Sequence, residues 1–277
     1  MSDNLLVDLV QQSYFQRAIV AAVLVGLVCP VLGLHLVLRR LSLIGDGLGH
    51  LSFAGVSLGW LLGVYPLFSA AALALVGALG LEWLRTRQRD SGDLALALVF
   101  YSGIALGIVV TSLARASNAN LVSYLFGSVL TVTPQDLATM GALAVTVLAT
   151  VYALQKELFA LTYDEDLARV AGLPVDRLNS VLAALTALTI VASLRIVGIL
   201  LVAALLVVPV AASLLIARSF RSAIWLSAAF GVGSALAGLI AAALLDVAPG
   251  GSIVLIAVLG YLCALGYRSL SGRFSWR

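Results

Sequence analysis

The chain of 277 residues is 62% apolar and only 10% charged, with a mean hydropathy of +1.12. A soluble domain carries about 25% charged residues, so this composition excludes an ordinary soluble enzyme and indicates an integral membrane protein. The net charge is only +3, which gives no reason to expect a nucleic-acid partner. Both cysteines lie in apolar runs, which argues against a disulfide framework or a cysteine-based metal motif.

Apolar stretches long enough to cross a hydrocarbon core about 30 Å thick recur along the chain. They are residues 18–38, 47–63, 67–84, 94–113, 137–154, 178–194, 196–217, 223–245 and 252–267. A single charge, Arg195, separates the sixth stretch from the seventh, so eight spans is the alternative to nine. We therefore predict an all-α, polytopic membrane bundle of eight or nine transmembrane helices, forming a single domain over residues 1–277.

The basic residues lie mostly on one side of this predicted bundle. If the N-terminus is outside, thirteen of the sixteen Lys and Arg residues fall in inner segments, and Arg17, Arg115 and Arg195 fall outside. Basic residues concentrate in the cytoplasmic loops of membrane proteins. We therefore expect the N-terminus outside and the C-terminus in the cytoplasm.

The second span begins in the run RRLSLIGDGLGHLSFAGVSLGWLLG, residues 39–63, which places Asp46 and His50 four residues apart. Residues at this spacing share one face of a helix, so a carboxylate and an imidazole can both reach one divalent cation. Two protein ligands suit a cation that must leave again better than a closed structural site. Water, backbone carbonyls, Ser57 or the same pair from a second copy could complete the site. Helix capping by Asp46 and simple packing of a neutral His50 are the alternatives.

The same span is rich in glycine, and small residues let neighbouring helices approach closely in lipid. We predict helix packing at Gly45, Gly49, Gly55, Gly59 and Gly63. The other histidine, His35, lies near the inner end of the first span, where a structural or interfacial role is favoured.

Two outer segments differ in length. Residues 114–136 are too long for a turn and too short to span twice, and their apolar centre predicts an outer loop with a short helix. The outer turn before the last span holds Asp246, Gly250 and Gly251, which are either simple turn residues or contacts for a protein that delivers a substrate.

The longest inner link, residues 155–177, carries helix start and stop signals. Asp164, Glu165 and Asp166 form an acidic start, and Gly172 and Pro174 form a stop. This pattern predicts a short amphipathic helix on the cytoplasmic face, suited to docking a partner. No nucleotide-binding or nucleophile motif is present in the sequence, so ATP hydrolysis, if it drives transport, belongs to another chain.

Five motifs carry a resemblance to a known family. They are VLRRLSLIGDGLGHLSFAGVSLG from Val37, YLFGSVLTVTPQDL from Tyr124, LTYDEDLARVAGLPV from Leu161, RIVGILLVAALLVVPVAAS from Arg195 and APGGSIVL from Ala248. In these the chain resembles the permease family of ATP-binding-cassette importers for manganese, zinc and iron. The resemblance implies a homodimeric type II importer permease in a prokaryotic cell membrane, bound by two cytoplasmic ATPase subunits and fed by an extracytoplasmic metal-binding protein. It implies no permanent cofactor, since the metal is cargo and ATP binds the partner.

The resemblance also implies roles for individual residues. Asp46 and His50 match positions associated with metal passage, although the family commonly reads DAxSHAxxPG where this chain has DGLGHLSFAG. The implied coupling residues are Asp164, Glu165, Asp166, Ala168, Arg169, Ala171, Gly172, Leu173 and Pro174. We expect the cation to pass by alternating access. The alternative is an ion-coupled secondary metal carrier without an ATPase. Such a carrier would need more intramembrane carboxylates than this chain has.

Overall fold

A computed structural model describes residues 11–87, 92–114, 124–127 and 132–271. No residue of this part forms a strand, so the all-α prediction is confirmed there. The helices, in chain order, are α1 (Ser13–Leu38), α2 (Ile44–Leu62), α3 (Pro66–Arg87), α4 (Gly92–Ala114), α5 (Pro134–Ala153), α6 (Gln155–Tyr163), α7 (Glu165–Val170), α8 (Val175–Val197), α9 (Ile199–Ile216), α10 (Phe220–Leu245) and α11 (Pro249–Ser271).

Seven of the described helices are long and apolar enough to cross a membrane, namely α1, α3, α4, α5, α8, α10 and α11. The second and seventh predicted spans are also helical, as α2 and α9, and the continuous apolar part of α9 is shorter. The number of crossings, eight or nine, therefore stays a prediction. Residues 155–163, which the sequence left inside the inner link, form the additional helix α6.

The break between α8 and α9 lies at Gly198, three residues beyond the Arg195 at which the sequence placed it. Gly198 has φ +85°, a left-handed conformation that glycine adopts readily. A Cβ at Gly198 would also lie 2.5 Å from the backbone nitrogen of Gly127. Both the backbone conformation and the available space therefore require glycine at the break.

The packing of the helices places α2 inside the bundle. Helices α1 and α8 are the most enclosed of the long helices, and α11 is the most exposed. Helix α1 packs against α10, α9 and α5, and α8 packs against α3. Helix α2 packs against α3 on one side and α4 on another, and it also contacts α9.

The predicted outer loop over residues 114–136 falls largely outside the described residues, as does Arg115. Within it, residues 124–126 are helical, and the ring of Tyr124 lies 5.5 Å from the ring of Trp60 at the end of α2. Thr133 and Asp136 form a reciprocal capping box at the start of α5. Tyr124 is thus packed against the C-terminal end of α2, and Thr133 leads directly into α5.

Candidate functional site

A tight turn between α1 and α2 sets the position of Asp46. Arg40 adopts φ +59° in this turn, and the Leu41 N–H donates a hydrogen bond of 2.8 Å to the Leu36 carbonyl. Helix α2 then begins at Ile44, which puts Asp46 in the first turn of the helix. The chain therefore has little freedom between the end of α1 and the candidate site.

Two glycines of α2 show which side of the helix faces α9. A Cβ at Gly45 would lie 3.2 Å from the Ala203 Cβ, and a Cβ at Gly49 would lie 3.4 Å from the Ile199 carbonyl oxygen. The small residues therefore let α9 approach α2 directly beside Asp46.

The side of α2 that carries His50 packs against α4. A Cβ at Gly103 would lie 3.1 Å from the His50 Cβ, and the Phe100 ring meets the imidazole edge to face, with centroids 5.1 Å apart. Asp46 and His50 are both half-buried on the face between α4 and α9. Neither Phe100 nor Gly103 was predicted from the sequence, because they lie on another helix and show no spacing relation to the pair.

The C-terminal half of α2 packs against α3 through two other glycines. A Cβ at Gly55 would lie 2.7 Å from the Ser69 carbonyl oxygen, and a Cβ at Gly59 would lie 2.7 Å from the Pro66 Cα. Gly63 has a different role from the predicted one. It ends α2 with φ +66°, and a Cβ there would have no neighbour within 4 Å, so it is a helix cap rather than a packing residue.

Among the described residues, none forms a hydrogen bond or an ion pair with the side chain of Asp46 or His50. Leu43 precedes α2 without a capping side-chain bond, and Asp46 lies in the first turn of α2, where the helix dipole favours a negative charge. In the same part of the chain, no group of three or more His, Cys, Asp or Glu residues could hold a metal ion. The pair thus supplies one oxygen and one nitrogen ligand, and further ligands have to come from elsewhere.

Ser57, a candidate further ligand, is engaged with α4. Its side chain is fully buried, and its hydroxyl lies 2.6 Å from the Thr111 hydroxyl. It lies about 10 Å along the helix axis from His50, because a helix rises about 1.5 Å per residue. Ser57 therefore ties α2 to α4 beyond the reach of an ion held by Asp46 and His50.

His35 has a structural environment. It is 1% exposed, its Nδ1 lies 2.9 Å from the Thr162 hydroxyl, and its ring packs beside Phe220. Thr162 donates its own proton to the Leu158 carbonyl at 2.6 Å, so it accepts from a protonated Nδ1 of His35. His35 thus joins α1 to α6 and α10.

Helix α7 exposes apolar side chains on the face that points away from the helical bundle. Asp164 caps it by accepting a 2.9 Å hydrogen bond from the Leu167 N–H, and Gly172 follows it with φ +83°. Ala168 is buried against the bundle, whereas Leu167 and Val170 are 60% and 86% exposed. The other predicted coupling residues here are Asp166 and Ala171, both exposed, Leu173, half-buried, and Pro174, which precedes α8.

Glu165 connects α7 to α1 and α8 through polar contacts of its carboxylate. One of its oxygens accepts from Arg39 at 2.8 Å, and the other accepts from Asn179 at 3.3 Å. Arg169 lies 3.6 Å from the same carboxylate and 3.0 Å from Asp176. The sequence singled out Glu165 and Arg169, but the partners on α8 and at the end of α1 become visible only in the fold.

The outer turn separates its three predicted residues. Asp246 is exposed and ends α10 in a left-handed conformation, and Gly251 has open space around it. Gly250 is buried, and a Cβ there would lie 2.8 Å from the Phe126 carbonyl oxygen and even closer to the Val197 carbonyl. Gly250 is therefore a packing residue of α11, and its contact with a delivering protein stays a prediction.

Known proteins resemble this chain over nearly its whole length. The profile of the ABC 3 transport family matches residues 11–268. The manganese transport system membrane protein MntC of Halalkalibacterium halodurans is 34% identical over 250 residues, which cover 90% of this chain and 86% of that protein. The high-affinity zinc uptake system membrane protein ZnuB of Haemophilus influenzae is 32% identical over 248 residues, with coverages of 90% and 95%.

A solved structure extends the likeness to the fold. A chain of PsaBC from Streptococcus pneumoniae in complex with Fab has a TM-score of 0.85 to this protein. The two are 31% identical, and the alignment covers 95% of each chain. The helical arrangement described above is therefore also found in this solved structure.

Proposed function

The chain belongs to the ABC 3 transport family, and from this membership we propose that it is the permease subunit of an ATP-driven importer of divalent metal ions. The family resemblance predicted from the sequence motifs is confirmed by the match over residues 11–268. The observation that carries the proposal is the Asp46 and His50 pair on a half-buried face of α2, in a chain whose relatives are named for manganese and zinc transport.

The donor set of the pair suits a transported cation. A carboxylate oxygen and an imidazole nitrogen are ligands that manganese, zinc and iron ions all accept. Two donors bind weakly enough for release, whereas a structural zinc site usually has four. In this proposal Asp46 and His50 replace part of the hydration shell of the ion while it crosses the membrane.

A second copy of the chain would complete the site. The face with Asp46 and His50 lies between α4 and α9 and is only half-buried within one chain. A two-fold axis at this face would add the same pair from the second copy, giving four donors around one ion. Alternating access then consists of the two copies opening the shared face first to one side of the membrane and then to the other.

The cytoplasmic and outer partners would dock at opposite ends. The exposed Leu167 and Val170 of α7 offer an apolar surface for an ATPase subunit, one per copy. ATP binding and hydrolysis take place on that separate chain, and the permease itself is not an enzyme. On the outer side, Asp246 and Gly251 remain accessible to a metal-delivering protein.

Reconstitution in proteoliposomes tests this function. Uptake of radiolabelled manganese or zinc is measured with the permease alone, with its ATPase, and with both the ATPase and the binding protein. We expect uptake only with all three proteins and ATP. Uptake by the permease alone, driven by an ion gradient, would identify a secondary carrier and overturn the importer assignment.

A further inference from the structure

An ion pair between distant parts of the chain joins α7 to the end of α1. The Arg39 guanidinium donates a 2.8 Å hydrogen bond to Glu165, which is 126 residues away in the sequence. The Arg39 side chain is 6% exposed, although it carries a permanent charge. Burial lowers the pKa of Arg39 and the Glu165 carboxylate acts against this shift, so Glu165 offsets part of the cost of enclosing the guanidinium.

The other charged groups near Arg39 are already paired with each other. On α3, Glu82 is buried and accepts a 2.6 Å hydrogen bond from Arg85. At Arg39 the two groups act in opposite directions, because Arg85 lowers the pKa of Arg39 and Glu82 raises it. Glu165 is therefore the carboxylate on which Arg39 depends.

On its other side, Glu165 is fixed to α7 and α8. Its second oxygen accepts from Asn179 on α8, and Arg169 bridges Glu165 and Asp176. The acidic group thus belongs to the same unit as α7, and a displacement of α7 displaces the partner of Arg39.

Arg39 also lies at the start of the backbone turn that connects α1 to α2 and fixes where α2 begins. It is the residue that caps α1, and hydrogen bonds from Arg40 to Val37 and from Leu41 to Leu36 close the turn that follows. Helix α2 starts five residues after Arg39 and carries Asp46 in its first turn. The short, hydrogen-bonded connection transmits a shift of Arg39 to the start of α2.

We propose that the ion pair between Arg39 and Glu165 is the positioning link through which movement of α7 displaces the first turn of α2 and the Asp46 carboxylate. This inference rests on the proposed function, because it requires an ATPase that moves α7. Arg39 and Glu165 do not contact the ion, so they govern how efficiently ATP hydrolysis is converted into transport.

The test compares metal uptake with ATP hydrolysis in the reconstituted complex. Arg39→Ala and Glu165→Ala should each lower the number of ions imported per ATP by about tenfold, a coupling of ordinary allosteric size, while ATP hydrolysis continues. The exchanged double variant Arg39→Glu with Glu165→Arg should recover part of this loss. The matched control is Arg221→Ala, which removes an exposed arginine in the first turn of α10 and should leave the ratio unchanged.

A second measurement separates coupling from mere folding. A cysteine is placed at Leu43, which is 65% exposed just before α2, and its labelling rate is followed with and without ATP. ATP should change this rate with wild-type Glu165 and should have little effect with Glu165→Ala. A wild-type ratio of ions to ATP in the single variants, or an unaltered ATP-dependent labelling change, would overturn the link. So would loss of ATPase binding that the exchanged variant does not restore, since the pair would then only hold the fold together.

The two proposals fail in different ways. If the wild-type complex imports no metal with ATP, the proposed function is wrong. If the wild-type complex imports metal but the single variants couple normally, the importer assignment stands and the link is wrong.

Discussion

Asp46 and His50 present a carboxylate and an imidazole on one half-buried face of α2, beside two helices that approach it closely. Within the part of the chain that the structure describes, no hydrogen bond or ion pair accounts for either group. Ionisable groups in a membrane are costly and are usually retained for function. Transport of a cation past this face gives both residues a role, and helix capping through a hydrogen bond does not.

Gly103 is the residue of α4 that makes room for His50. Gly103→Ala would place a methyl group about 3.1 Å from the His50 Cβ and closer to the Leu51 backbone, so α4 or the imidazole must shift. We expect a loss of stability of about 1–3 kcal/mol, as in other overpacked sites, together with reduced metal uptake. Thermal unfolding and uptake assays measure the two effects.

The matched control for this change is Gly80→Ala on α3, where an added Cβ has no neighbour within 4 Å. That variant should be as stable as the wild type or slightly more so, because alanine favours helix by about 1 kcal/mol over glycine. Equal behaviour of the two variants would contradict the packing described for His50.

Gly63 provides a test of backbone conformation alone. Its φ of +66° ends α2, and alanine in this left-handed region costs about 1 kcal/mol. Gly63→Ala should therefore lower the unfolding temperature, whereas Gly63→Asn should lose less, because asparagine tolerates this conformation. A gain in stability with alanine, as expected in an ordinary helical position, would refute the capping role.

Helix α7 is short enough for its cap to matter. Asp164→Ala removes the hydrogen bond to the Leu167 N–H, and capping residues typically contribute about 1 kcal/mol. Amide hydrogen exchange in residues 165–170 should speed up about fivefold, while Asp164→Asn, which still caps, should exchange nearly as slowly as the wild type. Unchanged exchange in the alanine variant would mean that contacts with the bundle alone hold α7.

Local patterns predicted the elements better than the contacts between them. The spacing of Asp46 and His50 placed both on one helix face, because that relation depends only on helix geometry. The break between α8 and α9 was predicted three residues early, at Arg195 instead of Gly198, because a single glycine in an apolar helix is usually tolerated and the nearby charge was the stronger signal. The packing of Gly250 was not predicted either, since the sequence PGG is typical of a turn and also of a proline that begins a helix.

The contacts that complete the site could not be predicted from the sequence. Phe100 and Gly103 meet His50 from α4, and Arg39 meets Glu165 across 126 residues. No periodicity links such positions, because their proximity follows from how the helices pack. A single sequence therefore indicates the candidate ligands but not the residues that position them.

The distribution of basic residues predicts the orientation of the whole chain. Both cysteines are replaced by serine, and single cysteines are then placed at Asp246 and at Leu167, which are both exposed. Because thirteen of the sixteen basic residues lie in predicted inner segments, a membrane-impermeant maleimide applied to intact cells should label position 246 and not position 167. Labelling of position 167 before lysis would show that the topology is the opposite of the predicted one and that the proposed ATPase docking site is not in the cytoplasm.

We propose that a metal ion passes through the whole assembly by way of Asp46 and His50. An exposed acid, Asp93, lies in the first turn of α4 as Asp46 lies in the first turn of α2, so the two carboxylates have the same relation to a helix dipole. Asp93→Ala is therefore the control that separates metal handling from a favourable charge at a helix start.

The most direct measurement is competitive uptake of radiolabelled manganese and zinc in transport-deficient cells that carry the permease with its ATPase and binding protein. Asp46→Ala and His50→Ala should reduce uptake to the level of cells without permease, while the complex still assembles and Asp93→Ala imports normally. Uptake that survives both substitutions, or falls equally with Asp93→Ala, would show that the ion does not pass this pair.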